Sequence, residues 1–500
     1  MTGVPALNPR RACVIGAGFG GLALAIRLQA SGVETVLVEA REKVGGRAYA
    51  WQREGFTFDA GPTLITDPAA LSGLWSLSGH DMADDISLTP TAPFWRLNWP
   101  DGTQFDLTGD EASLTREVAK AAPGDLGGLD DFLRYSAGTL AEGYRRLGNV
   151  PFPDLATAAK ALPALLRQQT WRSLWSITAA QVKDEHLRQA LTFQALLIGA
   201  NPQTTSAIQA LAVKLEQDTG VWWPIGGAGQ LAEAMARHFA RLGGTLRLHD
   251  PVVHVHTLGN RATEVETQSG WKERFDAVAS NADIMHTYRE LLAGTQRGAE
   301  MARSLARKRY SPGMFLVHFG LEGSWPGIPH HMALFGPRYT GLLDDVFEHG
   351  VLPQDQLILL DHPTVTDPSM APPGKSTFRA MIPVAHLGKL PIDWDTVGPM
   401  LEKRVIDEVG RRLIPDIHDR IVTKFHYAPR DFALDFNAYL GSAFSLEPVL
   451  SQTAWLRPRN RDTKIANFYL VGAGAHPGAG VPAVLGSAHA TAKLMLEELK

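Results

Sequence analysis

Three glycines near the start of the chain, Gly16, Gly18 and Gly21, keep the spacing Gly-x-Gly-x-x-Gly directly after the apolar run Cys13-Val14-Ile15. That order leaves the backbone little freedom. Gly16 allows a tight turn out of a strand, Gly18 lets a ligand approach the main chain, and Gly21 lets the next helix pack close to the sheet. Phe19 and Gly20 complete the loop. Leu22, Ala25, Ile26 and Leu28 give the helix its apolar face, and Gly32 stands where it should end. A second apolar run, Thr35-Val36-Leu37-Val38, leads into Glu39-Ala40-Arg41. A carboxylate at that strand end accepts hydrogen bonds from ribose hydroxyls and repels a 2′-phosphate. The segment is therefore predicted to be a strand–helix–strand dinucleotide site. The free N–H groups and positive dipole end of its helix would face a diphosphate.

The pattern extends further than a nicotinamide site needs. Arg41-Glu42-Lys43-Val44-Gly45-Gly46-Arg47 can set a second turn over the diphosphate, with Arg47 countering its charge. Phe58-Asp59-Ala60-Gly61-Pro62 makes a rigid turn suited to lining a flat ring. At the far end of the 500 residues, Phe468-Tyr469-Leu470-Val471-Gly472-Ala473-Gly474 leads into Pro477-Gly478-Ala479-Gly480-Val481-Pro482. This second glycine segment brings closely approaching backbone back to the same sheet. Together the two ends point to a flavin enzyme holding FAD. The one cysteine, Cys13, lies inside the first predicted strand. It can form no internal disulfide, which excludes a flavin–disulfide reductase, and it is badly placed for a cysteinyl flavin, so the FAD is expected to be non-covalent.

Composition narrows the class. The chain is long enough for two or more subdomains, and a 45% hydrophobic content suits a globular protein. A net charge of −4 gives no electrostatic reason to expect nucleic acid as a partner. No signal peptide is visible, so a cytoplasmic location is the default expectation. His249, His254, His256 and the pair His330-His331 have no metal-ligand spacing around them, and no metal is expected. The longest uncharged stretch, 189–213, is interrupted by Asn201-Pro202-Gln203-Thr204-Thr205-Ser206, which argues against a membrane span.

The dinucleotide fold is expected to be assembled from separated pieces. Gly226-Gly227-Ala228-Gly229 opens a helix through Ala240, ended by Gly243-Gly244. Leu246 to His256 is predicted to be a strand bent at Pro251, and Phe275 to Ala282 a buried strand and turn. A strand, glycine loop and helix fill Asn467 to Lys500. The boundaries expected are 1–75, 225–290 and 455–500 for a discontinuous FAD domain, with insertions at 76–224 and 291–454. The first insertion carries Ala161-Leu162-Pro163-Ala164-Leu165-Leu166-Arg167 and Trp171-Arg172-Ser173-Leu174-Trp175, apolar at helical spacing with tryptophans beside arginines. An amphipathic helix at a membrane interface and a core-facing helix both fit.

These residues resemble one family over essentially the whole chain: the bacterial-type carotenoid desaturases, and among them those that act on phytoene. Besides the two glycine loops and Phe58-Asp59-Ala60-Gly61-Pro62-Thr63, the resemblance rests on Lys183-Asp184-Glu185-His186-Leu187-Arg188-Gln189-Ala190, Gly220-Val221-Trp222-Trp223-Pro224 and Phe335-Gly336-Pro337-Arg338-Tyr339. It rests also on Gly441-Ser442-Ala443-Phe444-Ser445-Leu446-Glu447-Pro448 and His476-Pro477-Gly478-Ala479-Gly480-Val481-Pro482. It implies an α/β, Rossmann-type FAD fold of the amine-oxidase-like and glutathione-reductase-like class. An α+β substrate domain would be inserted at 291–454, and a helical membrane-associating region at 76–224. It further implies stepwise desaturation of phytoene to conjugated carotenes such as lycopene, with peripheral attachment to the cytoplasmic membrane. By the same resemblance Glu39 holds the adenosine ribose, Arg47 the diphosphate, and the backbone of Val253 meets the adenine. Gly61-Pro62 and Gly480-Val481-Pro482 flank the isoalloxazine. Relatives carry an Asp and an Arg where this chain has Thr157 and Lys160, and a Thr and a Gly where it has Ala475 and Ala483. Lys160 keeps the charge without the fork geometry, so no side-chain acid or base is assigned beyond Lys160 as a candidate.

An alkene's saturated neighbour offers neither an acidic proton nor a polar handle, so the chemistry must come from the cofactor. Hydride transfer from an allylic carbon to flavin N5, followed by proton loss, is the expected course. Oxygen or a membrane quinone would take the electrons, since only one complete dinucleotide fingerprint is present. The pocket should be a long apolar tunnel. Trp222, Trp223, Phe193, Leu196 and Leu197 are candidates to line it, with core packing the competing account of each. The alternatives are another amine-oxidase-like flavoenzyme, such as a protoporphyrinogen-oxidase type, and a non-catalytic lipid carrier on the same fold.

Overall fold

The computed structural model describes residues 10–61, 64–146, 148, 150, 163 and 166–499. Its first unit follows from the apolar runs on either side of the glycine loop. Strand β1 (Arg11–Ile15) leads into helix α1 (Phe19–Ala30) and strand β2 (Glu34–Val38). Leu22, Ala25, Ile26 and Leu28 are all fully buried, and Gly32 takes the positive φ of +84° that releases the chain from the helix.

Five parallel strands form one sheet, in the order Phe468–Leu470, Ala277–Ser280, β1, β2 and Thr245–Arg247. Successive side chains of a strand point to opposite faces, and β1 uses both. Ala12 and Val14 join the core beneath α1, the helix Gly227–Arg241 and the C-terminal helix Val481–Glu498. Cys13 and Ile15 join the core beneath an antiparallel meander of Val252–Leu258, Arg261–Thr267 and Lys272–Arg274. The sheet is thus covered on both faces, as parallel strands require.

The expected strand from Leu246 to His256 is two strands in two sheets. His249, at φ +54°, and Pro251, which has no N–H to give a ladder, separate Thr245–Arg247 from Val252–Leu258. The tryptophan-bearing segment also departs from one continuous helix. Ser173 caps a helix Leu174–Gln181 by accepting the Ser176 N–H at 3.1 Å. Trp175 turns inward against Tyr339, whereas Trp171 and Leu166 are exposed. Residues 161, 162, 164 and 165 of that segment, and Pro62, Thr63, Thr157 and Lys160, lie outside the described residues. Among the described residues, no helix is long and apolar enough to cross a membrane.

A seven-stranded mixed sheet carries the second layer, in the order Ile421–Tyr427, Gly313–Glu322, Lys375–Val384, Ile358–Asp361, His331–Leu334, Trp95–Asn98 and Gln104–Leu107. The helix Trp394–Arg412 packs on it through Leu401, Val405, Ile406 and Val409. Helices of the 111–219 region bury their apolar faces with its Trp95 edge.

Asn467 ties the last strand to the meander. Its carboxamide accepts the Ala262 N–H at 2.8 Å and donates to the Ala262 and Asp276 carbonyls, each at 2.8 Å. Truncation leaves three buried backbone groups without partners. Asn467→Ala should therefore cost about 3 kcal/mol, read as a lowered Tm in thermal unfolding; an unchanged Tm would mean that water replaces the carboxamide.

Candidate functional site

The glycine loop is shaped by what it must avoid. Gly16 has φ +94°, and a Cβ on Gly21 would lie 1.9 Å from the Gly16 carbonyl oxygen. The carboxamide of Asn281, at the end of the strand Ala277–Ser280, donates to the Gly16 carbonyl at 3.2 Å. A Cβ on Gly20 would stand 2.7 Å from its Oδ1, and one on Gly472 only 2.3 Å. The N-terminal loop, the end of the strand Ala277–Ser280 and the C-terminal loop therefore meet at one side chain. The residues Ser280-Asn281-Ala282 look in the sequence like an ordinary strand end, so this role had no local signal. Gly18 opens α1 with no side-chain cap, leaving the first-turn N–H groups to a ligand.

Glu39 is buried at the end of β2, where its carboxylate accepts the Ala17 N–H at 2.7 Å and the Arg41 N–H at 3.0 Å. Burial raises its pKa, and those two N–H groups and the Arg41 charge offset part of the rise. Arg41 lies 3.8 Å over the Tyr49 ring and 3.5 Å from Asp435, which draws it away from a pure diphosphate role. Gly45 and Gly46 form the second turn at φ +116° and +56°. Arg47 follows, its pKa lowered by burial and held up by the nearby Asp283. Its Nε is buried with no hydrogen-bond partner among the described residues. Val253 is skipped by the pairing register of its hairpin, which jumps from Val252 to His254; such a bulge frees backbone groups to face the cavity.

Two arginines that sequence reasoning missed fix the turns at the opposite end. Arg379, buried in the strand Lys375–Val384, pairs with Asp361 on the neighbouring strand at 2.9 Å and donates to the carbonyls of Asp59 and Gly61. A Cβ on Gly61 would lie 1.8 Å from the Arg47 carbonyl oxygen, so this turn also needs glycine. Asp59, its pKa pushed up to about 6 by burial, accepts the Ala228 and Gly229 N–H groups at the start of the helix Gly227–Arg241. Arg457, buried and pushed down to about 10, donates to the carbonyls of Ala473 and Ala475. It thereby holds the C-terminal loop that ends in Gly480 (φ +100°), Val481 and Pro482.

One cavity of about 1490 Å³ runs past all of these turns. Gly16, Gly18, Phe19, Gly20, Glu39 and Ala40 line it, as do Arg41, Gly46, Arg47, Gly61 and Val253, and Gly480, Val481 and Pro482. Gly21 and Gly472 do not; they act through the close packing just described. Beyond the Gly61 and Gly480 turns the wall becomes apolar, with Leu64, Leu197, Ile198, Ile208, Leu211 and Phe444. Of the residues expected to line a tunnel, only Leu197 does so. Trp223 is fully buried and donates to Asp367, Trp222 donates to the Thr219 carbonyl, and Phe193 and Leu196 are core. These four side chains pack behind the cavity wall, which aliphatic residues share with Phe444 and Trp95.

This chemistry suits FAD. A capless helix start, an unpartnered arginine Nε and a buried carboxylate line one end; at the other stand the Gly61 turn, with no room for a Cβ, and the Gly480 turn, at a φ of +100°. Residues 19–496 match the family model described as flavin containing amine oxidoreductase. The chain belongs to that family. Among curated relatives of this flavin-enzyme chain, a phytoene desaturase (lycopene-forming) from Paracoccus sp. is 49% identical, with 98% of each chain covered. Another with the same name, from Pantoea ananas, is 46% identical over 97% of this chain and 99% of that one. A phytoene desaturase (neurosporene-forming) from Cereibacter sphaeroides is 39% identical over 98% and 95%. Solved structures show the same fold at low identity. A putrescine oxidase triple mutant has a TM-score of 0.64 at 17% identity, and the cyclohexylamine oxidase of Brevibacterium oxydans 0.63 at 17%, each covering 98% of this chain and 99% of its own.

Glu39→Lys puts a cation beside the Ala17 and Arg41 N–H groups and removes the acceptor. The purified variant should be colourless, having lost FAD. A yellow variant with an unaltered flavin spectrum would show that the ribose is held elsewhere.

Proposed function

We propose that this flavoenzyme is an FAD-dependent phytoene desaturase, converting phytoene through partly desaturated carotenes to lycopene. The observation that carries this is the single cavity, which joins a dinucleotide-shaped end to an aliphatic bore. Its volume exceeds the 300–1,000 Å³ common for one small ligand, leaving room for a hydrocarbon beside the cofactor. The desaturase names of relatives covering the whole chain support the same assignment.

In this account Glu39 and Ala40 hold the adenosine ribose, the Gly16–Gly21 loop with Gly46 and Arg47 the diphosphate, and the Val253 backbone the adenine. Gly61-Pro62 and Gly480-Val481-Pro482 flank the ring. Segments 1–75, 225–290 and 455–500 serve as the FAD domain, with 76–224 and 291–454 serving substrate and membrane. When bound, the flavin supplies the two-electron oxidation, taking a hydride from an allylic carbon; oxygen or a quinone takes the electrons onward. The protein's part is to align the polyene and keep water from it. Arg379 and Arg457 would do so indirectly, by fixing the two turns that would flank the ring. The enzyme would work at the cytoplasmic membrane surface, where phytoene dissolves. Leu450 and Leu456, which line the cavity and are exposed, supply an apolar mouth for that docking.

Expression in a phytoene-accumulating host should give coloured, conjugated carotenes with lycopene prominent in pigment extracts. Unchanged phytoene in cells that contain the yellow protein would contradict the assignment.

A further inference from the structure

Among the described residues, the apolar stretch of the cavity carries one carboxyl group, beside neutral polar side chains such as Tyr144 and Gln209. Glu216, on the helix Leu211–Thr219, is buried and lines the cavity. One of its oxygens accepts the Gln194 Nε2–H at 2.7 Å; its other oxygen has no hydrogen bond among the described residues. Gln194 begins a cavity-lining stretch that runs through Ala195 and Leu197 to Ile198. A Cβ on Gly480 would touch Ile198 at 3.3 Å. Four residues of 3₁₀ helix rise about 8 Å, so one short element links the residue that holds the carboxyl to the residue that packs on the turn assigned to the flavin ring.

Among the described residues, no cation pairs with this carboxyl. On its own helix Lys214 pairs with Asp218, as does Arg145 from the facing π-helix Leu140–Arg146. In that same element Arg146 pairs with Glu142, and the Tyr144 hydroxyl donates to Asp67. On the packed helix Leu126–Thr139, Arg134 pairs with Asp131, and the Tyr135 hydroxyl donates to the Gln168 carbonyl. The short helix Ala207–Ala210 brings no charged side chain. Burial consequently raises the Glu216 pKa to about 8, with the Gln194 hydrogen bond opposing the rise. A carboxyl held by one hydrogen bond in a largely apolar bore is costly to keep and adds nothing to packing that a leucine would not.

We propose that Glu216 is the catalytic base that removes the proton in each desaturation, with Gln194 as its positioning residue. The proposal rests on the desaturase assignment above. An allylic C–H of the substrate breaks and its hydrogen leaves as hydride, carrying both electrons to the flavin oxidant. The neighbouring C–H then gives its proton to a Glu216 carboxylate oxygen, and the electrons of that bond become the new double bond. The acid so formed returns its proton to solvent before the next step. A base whose pKa lies near the working pH is the efficient choice, and the cation formed beside it strengthens the driving force. Only the ionised form accepts a proton, so the rate must rise with pH through the pKa of this group.

The test uses FAD-loaded enzyme with phytoene in liposomes, following the rate of conversion against pH. Wild type should climb to a plateau with an apparent pKa near 8. Glu216→Gln keeps the shape and can still accept the Gln194 N–H; it should be about 100-fold slower or worse, with the pH-dependent limb gone and the flavin spectrum intact. Gln194→Leu removes the hydrogen bond that favours the carboxylate. Its limb should move to higher pH and its plateau should fall, because the carboxyl is no longer held in place. A Glu216→Gln enzyme within threefold of wild type, with the same limb, overturns the proposal. If that variant loses FAD, the Gln194→Leu profile decides, and an unmoved limb overturns it equally. A wild-type enzyme that leaves phytoene unchanged removes the assignment beneath the proposal, and the proposal with it.

Discussion

The nucleotide end of this molecule depends on how closely two stretches of backbone approach the Asn281 carboxamide. Gly16 accepts its hydrogen bond, and Gly20 and Gly472 have no space for a Cβ beside its oxygen. Those stretches come from the start and the end of the chain, and Asn281 from its middle. Their meeting point turns a locally encoded strand–helix–strand unit into a domain that closes only when the last strand arrives. The same contact sets where α1 begins, and therefore where its free N–H groups point.

The two glycine loops were legible because glycine at a tight turn has few substitutes. Leu22 through Leu28 were legible because apolar spacing follows helix geometry directly. Asn281, Arg379 and Arg457 were not. Each acts by donating to carbonyls distant in sequence, and a single asparagine or arginine in a strand or loop carries no periodic trace. The bore was misassigned for a related reason. Trp222, Trp223 and Phe193 are large enough to suggest a hydrocarbon channel, yet size favours burial in the wall, while the space itself is left by Leu197, Ile198 and Ile208. The break at His249 and Pro251 shows the reverse case, where a proline visible in the sequence ended a strand more sharply than a bend.

The substrate side follows from one physical contrast. A hydrocarbon gives a binding site nothing to hold by hydrogen bonds, so specificity must come from the shape and length of an apolar bore. In such a bore each polar atom is expensive, which is why a single uncompensated carboxyl stands out. At the flavin end the polar groups are many, and nearly all are engaged in fixing turns. The division between a polar cofactor site and a largely apolar substrate site lies within one cavity, so cofactor and polyene can meet without either leaving its own environment.

That meeting is the central claim, and it can be observed directly. Purified, FAD-loaded protein is mixed with phytoene liposomes in the absence of oxygen and of any other electron donor or acceptor. The visible flavin band should bleach, with conjugated product appearing in proportion to the flavin present. A band that stays unbleached while the flavin remains bound would show that the bore does not deliver phytoene to the ring.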